Sequence, residues 1–279
     1  MTSKLTGTVA LVTGASSGIG AAVALVTRRK DRLDDLAADI EIAGGTALVV
    51  AAHITDRTEA QSAVAQTVAQ LGRLDILVNN AGLMLLGPVV GADPEEWDRM
   101  IAVNNQGLLY PTHAALPHLL QAAEDSPRRV ADISSIAGRV AGRDYGVYNP
   151  TKFGVNGFTE ALRQEITKRH VRVGVLEPGA VATELGSHNS ERVQSDLISP
   201  FFTGVEVLAP EDIADGVAYM VTRPRHTAIG ELWIMPTEQA CPPRDSGWRR
   251  KAAAGLHEQP TVRSTLLLCC AATHDPAAR

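Results

Sequence analysis

VALVTGASSGIG, residues 9–20, joins a five-residue apolar run, Val9 to Thr13, to a turn with glycines at 14, 18 and 20. An apolar run without polar alternation that stops at glycine is the pattern of a strand buried on both faces of a parallel sheet. The glycine spacing lets the backbone approach a pyrophosphate and offer it N–H groups, which makes Gly14, Ser16, Ser17, Gly18, Ile19 and Gly20 binding candidates. Such spacing also suits a plain strand-to-helix turn. Its place directly after the first strand favours the phosphate reading.

Outward from this stretch the pattern repeats. Apolar runs at Thr46–Ala51, Ile76–Asn79, Val130–Ser134, Arg172–Glu177 and Gly230–Met235 read as strands. Between them, Asp31–Ala43, Arg57–Leu71, Glu95 to about Ala123, Val147–Arg169 and Glu211–Thr222 carry helical periodicity. Strands alternating with helices predict an α/β, doubly wound, Rossmann-like parallel sheet in one domain, residues 1–239. Ligands of such sheets bind beyond the carboxyl ends of the strands. Four turns fall there: Gly14–Gly20, Asn79–Gly82, Ser134 with Ser135, and Pro178–Thr183.

One segment breaks the pattern. VALVT recurs at Val23–Thr27, but only nine residues, 14–22, separate it from Thr13, and the glycine turn takes seven of them. A parallel crossover ordinarily needs about ten to twelve residues. Two outcomes stay open: a helix from Ile19 to about Arg29 that removes the second strand, or a second strand fed by a bare loop. In either case the first crossover helix or the second strand is truncated.

Composition narrows the class. Of 279 residues, 45% are hydrophobic and 20% charged, the balance of an ordinary globular protein. A net charge of −5 gives no basic footprint for nucleic acid or an anionic membrane. The N-terminal run breaks at Gly14, too early for a signal peptide, and no run has transmembrane length. Cys241, Cys269 and Cys270 all fall late, so the body has no disulfides or thiolate metal sites, and a cytoplasmic location follows. Residues 240–279, with CPPRDSGWRRK and TLLLCC, lose the periodicity and read as a disordered tail.

The chemistry concentrates in DISSIAGRVAGRDYGVYNPTK, residues 132–152. On a helix from Val147, Tyr148 and Lys152 stand four residues apart on one face. A phenol of ordinary pKa about 10 becomes a usable acid or base when an ammonium favours its phenolate. Ser135 precedes a turn and can aim its hydroxyl at the same oxygen. As a bare pair, Tyr148 and Lys152 are equally a solvated helix surface.

TGASSGIG at 13–20, NNAG at 79–82, Asn104 in MIAVNNQG, Ser135 in ISSIAG, YNPTK at 148–152 and EPG at 177–179 stand in the order and spacing of the short-chain dehydrogenase/reductase family. The chain resembles that family from residue 5 to about 239. NNAGLMLLGPV, SSIAGRV and VYNPTKFGVN resemble most closely the actinobacterial reductases of the clavaldehyde dehydrogenase type. The resemblance implies that Tyr148 is the acid/base. Lys152 would lower its pKa and hold the nicotinamide ribose, and Ser135 would orient the substrate oxygen. Asn104 would kink its helix and bind a relay water, with Asn105 as a competing assignment. Ile54, Asn79, Ala81 and Gly82 would line the adenosine side, and Pro178, Gly179, Val181 and Thr183 would close over the nicotinamide.

The implied reaction is metal-free hydride transfer between a nicotinamide and a small or medium carbonyl compound or secondary alcohol. Thr27-Arg28-Arg29-Lys30 has no acid to accept ribose hydroxyls, so Arg28, and after it Arg29, point to NADP (NADPH) rather than NAD, though the same residues equally suit the solvated basic start of a helix. His53 stands where the family usually has an Asp. The pocket is expected under Leu83, Met84, Ala137, Gly138, Asp144, Tyr145 and the stretch Leu185–Val205. The resemblance also implies a homodimer or homotetramer. A catalytically silent relative that binds cofactor weakly is the competing function, motivated by the shortened first crossover.

Overall fold

The computed structural model describes residues 5, 7–15, 22–27, 30–123, 128–203 and 205–239. The described part falls within one compact unit, Met1–Pro242. Seven strands form one sheet: β1 (Val9–Thr13), β2 (Ala22–Thr27), β3 (Thr46–Ala51), β4 (Ile76–Asn79), β5 (Arg128–Ile133), β6 (Val171–Pro178) and β7 (Glu231–Ile234). Their order is β3-β2-β1-β4-β5-β6-β7, and every pairing is parallel. The doubly wound reading holds.

VALVT at 23–27 is strand, not helix. Val9 pairs with Ala22 and Thr13 with Val26, which corrects the alternative of a helix from Ile19 to Arg29. The reason is burial on two faces: Val23 and Leu25 point to one side, Ala24 and Val26 to the other, and none is more than 1% exposed. Eight residues, 14–21, remain between β1 and β2.

Helices cover both faces. On one side Leu11, Ala24, Val26 and Val50 pack with Ala63 and Val64 of α2 (Arg57–Leu71), with Ala115 and Leu119, and with Leu162 and Ile166. On the other, Ala10, Val12, Val23 and Leu25 meet Leu33 of α1 (Lys30–Ile42) and, further along, Val217, Met220 and Val221. Both faces of the strands are therefore apolar, as the uninterrupted runs required.

The long helix expected from Glu95 is divided. It comprises α3 (Pro94–Ile101), a π-helical turn at Ala102–Gln106 that carries Asn104, and α4 (Gly107–Ala122). A π turn inserts one residue, and such insertions gather at functional sites. α5 (Tyr148–Ile166) follows, then short α6 (Glu191–Val193) and α7 (Ser199–Phe202), and α8 (Pro210–Val221). Among the described residues no helix is long and apolar enough to cross a membrane.

Candidate active site

β5 delivers the first group. Its chain leaves the sheet at Ser134, and Ser135 caps a single 3-10 turn, Ile136–Gly138, by accepting from the Ala137 N–H at 3.1 Å. Gly138 lies inward: a Cβ there would lie 2.8–2.9 Å from Asn156 Nδ2, Lys152 O and Ser134 Oγ. The turn thus seats on α5, and Gly138 serves that contact rather than the pocket lining expected of it.

Tyr148 opens α5, 3% exposed, with its phenol near enough to the Ser135 side chain for that group to act on its pKa. One helical turn on, Lys152 Nζ lies 5.9 Å from the Tyr148 ring centroid and donates to Ile133 O at 3.0 Å. Ser135, Tyr148 and Lys152 are therefore brought together. Burial pushes the Tyr148 phenol well above its ordinary value, with Ser135 opposing. Burial depresses Lys152 to about 8, with Asp132 opposing. In this arrangement desolvation outweighs the effect of the Ser135 side chain, so burial favours the protonated phenol over phenolate.

Asp132 was missed in the sequence. It is wholly buried and pushed up to about 6 by burial, opposed by hydrogen bonds from Asn79 and Thr159 and by the Lys152 charge. Asn79 Nδ2 donates to Asp132 Oδ1 at 2.7 Å and to Thr112 Oγ1 at 2.8 Å, and Thr159 Oγ1 donates to Asp132 Oδ2 at 2.8 Å. The side chain of Asn79 thus serves the interior. A carboxylate inside the apolar strand RRVADI was the available signal.

Asn104 is 2% exposed and engaged at both ends. Its Oδ1 accepts from Leu83 N at 2.7 Å, and its Nδ2 donates to Leu83 O at 2.9 Å and Thr151 Oγ1 at 3.0 Å. Its side chain fixes the β4 turn to α5. Neighbouring Asn105 instead donates to Thr151 O at 3.0 Å. Ile54 packs on the core cluster beneath α2 and α4.

The glycine turn is held by an asparagine that the sequence reading left aside. Asn80 Nδ2 donates to Gly14 O at 2.8 Å and Thr13 O at 3.2 Å, while Thr13 Oγ1 accepts from Asn80 N and Ala81 N. Gly14 has φ +61°, and a Cβ there would meet Ala81 Cα at 2.7 Å, so only glycine fits this approach. Ser16, Ser17, Gly18, Ile19, Gly20, Arg28 and Arg29 lie outside the described residues.

After β6, Gly179 N donates to Ile234 O at 2.8 Å and Ala182 N to Leu208 O at 2.9 Å, and Val181 bridges Leu208. Thr183 Oγ1 caps the turn Glu184–His188. Beside Tyr148, an apolar cluster of Leu83, Leu85, Leu86, Met100 and Ala137 draws in Met84, Tyr145, Val193, Leu197 and Ile198. Asn189 ties the 185–205 stretch to it by accepting from Leu86 N at 2.6 Å and donating to Met84 O at 2.9 Å. An oxygen-bearing, otherwise apolar substrate carbon is what such a wall can seat beside the phenol.

The family model described as short chain dehydrogenase matches residues 8–194. An uncharacterized oxidoreductase of Staphylococcus aureus is 34% identical over 243 residues, 83% of this chain and 98% of that protein. A glycine betaine reductase of Emericella nidulans is 34% identical over 247 residues, 84% of this chain but 19% of that longer protein. Among solved structures, a closed serine dehydrogenase complexed with NADP+ matches with a TM-score of 0.75 and 30% identity, covering 90% of this chain and 100% of that one. A 3-ketoacyl-(acyl-carrier-protein) reductase from Brucella melitensis complexed with NADH gives 0.71 at 30% identity, over 82% of this chain and 97% of that one.

Proposed function

This chain belongs to the short-chain dehydrogenase family, a family of oxidoreductases, and from that premise we propose that it is an NADP-dependent carbonyl reductase or alcohol dehydrogenase for a small or medium substrate. The carrying observation is the meeting of Ser135, Tyr148 and Lys152 at the carboxyl edge of the sheet. A nicotinamide, when bound, supplies or accepts the hydride. Ser135 orients the substrate oxygen, and Tyr148 donates a proton to it in reduction or takes it back in oxidation. A phenol kept protonated by burial is the form that carbonyl reduction uses.

Several features of the site fit the cofactor. Lys152 Nζ has three N–H donors and gives one to Ile133 O, which suits it to ribose hydroxyls. Gly82 borders Lys152 and Asn104: a Cβ there would lie 3.9 Å from Lys152 Nζ and 3.7 Å from Asn104 Oδ1. Ile54, Ala81 and Gly82 belong to the adenosine side, and Pro178, Gly179, Val181 and Thr183 to the nicotinamide side. The preference for NADP over NAD rests on Arg28 and Arg29. The matched serine dehydrogenase was solved with NADP+ and the matched 3-ketoacyl reductase with NADH. The motif likeness to clavaldehyde dehydrogenases favours a carbonyl substrate.

Exposed Ile101, Leu109 and Phe153 on α3, α4 and α5 support a homodimer or homotetramer. We place the protein in the cytoplasm, with residues 1–239 as the oxidoreductase domain and 240–279 as a tail.

The eight-residue link between β1 and β2 favours a second reading, a silent relative with impaired cofactor binding. Calorimetric titration with NADPH and NADH, paired with a panel of ketones and aldehydes, separates the two. Binding of NADPH with turnover is the expected result. Binding without turnover on a broad panel, or no binding by a folded protein, supports the silent relative.

The pH dependence adds a check. The Lys152 ammonium is present below about pH 8 and lost as pH rises through that value. NADPH affinity is expected to fall over that range. Asp132→Asn removes the carboxylate that holds the proton on Lys152, so the fall should begin at lower pH than in the wild type. Fluorescence titration with NADPH across the neutral to alkaline range reads it, and an unmoved profile counts against the coupling.

A further inference from the structure

Glu177, the next-to-last residue of β6, is wholly buried, and three donor contacts converge on its carboxylate. Arg139 Nε lies 2.6 Å from Oε1 and Nη2 3.2 Å from Oε2, and Asn156 Nδ2 donates to Oε1 at 2.6 Å. Arg139 Nη2 also reaches Glu231 Oε2 of β7 at 2.5 Å, and its guanidinium stands 5.7 Å over the Trp233 ring.

These contacts join the elements that carry the reacting groups. Arg139 ends the turn begun by Ser135, through Gly138 N to Ser135 O at 2.8 Å and Arg139 N to Ile136 O at 2.9 Å. Asn156 lies one helical turn past Lys152 on α5 and gives a second bond to Gly138 O at 3.0 Å. Glu177 itself precedes Pro178 and Gly179. A buried ion pair is a poor source of net stability, because desolvation cancels most of its attraction, whereas a bidentate fork fixes direction well.

We propose that Arg139 and Glu177 are positioning residues, which hold the Ser135 turn against α5 and so set where the Ser135 hydroxyl meets the Tyr148 phenol. Neither touches a reacting atom. The proposal rests on the hydride-transfer reading above for its kinetic consequence and on the geometry alone for its structural one.

The test is a double-mutant cycle of Arg139→Met and Ser135→Ala in the full chain, read by steady-state kinetics with NADPH and a ketone the wild type reduces. Amide hydrogen exchange of the unliganded proteins is measured alongside. Arg139→Met is expected to lower kcat about 10- to 100-fold with the cofactor KM changed less than about threefold. In the Ser135→Ala background it should add less than about threefold, since the residue it positions is gone. Exchange at Gly138, Arg139 and Val140 should rise while β5 stays protected.

Multiplicative losses in the cycle, an equal rise in cofactor KM, or unchanged exchange at the turn would each overturn the proposal. If Arg139→Met does not fold by circular dichroism, Arg139→Lys, which keeps the charge but not the fork, replaces it in the same cycle. A wild type that binds NADPH but reduces nothing defeats the hydride-transfer reading instead. The exchange result then decides whether the Arg139–Glu177 pair holds the turn.

Discussion

Tyr148→Phe is expected to lower kcat for carbonyl reduction by about a thousandfold, within the range a positioned general acid supplies. The argument is chemical. Tyr148 carries the buried hydroxyl beside Ser135, and Lys152 stands on the next turn of the same helix. Phenylalanine keeps the ring among Met100, Ala137 and Leu83, so packing survives while the transferable proton is removed. Initial rates with NADPH and a reducible ketone, beside calorimetric titration of NADPH, measure the two separately. Retained binding with lost turnover is the expected pair. A variant as fast as the wild type would move the acid to another group.

The second large effect concerns stability. Asp75, wholly buried at the amino edge of the sheet, accepts from Val9 N at 2.8 Å, from Arg73 Nε and Nη2 at 2.8 and 2.9 Å, and pairs with Arg128 Nη1 at 2.6 Å. It therefore ties the start of β1 to the start of β5 through β4. Asp75→Ala removes the carboxylate that faces Arg128, itself 1% exposed, and that opposes the lowering of the Arg129 pKa, already down to about 10 by burial and by Arg172. Loss of a buried partner of this kind costs about 3–5 kcal/mol. For a domain of this size the melting temperature should drop by about 10 °C. Denaturant and thermal unfolding check it, and a shift under about 1 kcal/mol would show that the sheet edge is held by other contacts.

The sheet was legible because strands covered on both faces have to be apolar throughout, as VALVT at 9–13 and ILVN at 76–79 are. β2 was not settled by the same rule. Counting crossover residues left a helix and a strand open, whereas Val23 and Leu25, entirely buried opposite Ala24, decided for a strand. Ser135, Tyr148 and Lys152 could be found because their spacing lies within one turn and one helix. Asn79 illustrates the limit: its position after β4 was readable, but the direction of its side chain depends on Asp132, fifty-three residues away. The Arg139–Glu177 pair spans thirty-eight residues and has no local signature. The π turn at Asn104 was hidden for another reason, since one inserted residue barely disturbs an apolar period of 3.6.

The short link between β1 and β2 also bears on how the chain acquires its shape. Val9 and Ala22 pair across thirteen residues, whereas Ala10 and Ile76 pair across sixty-six. Closing the shorter loop costs less chain entropy by about 1.4 kcal/mol. A parallel pair, ordinarily among the slowest contacts to form, becomes here one of the most local in the sheet. Substitutions at Val23 should therefore slow folding, while equally destabilising ones at Ile76 should mainly speed unfolding. The shortened crossover is thus placed to nucleate the sheet.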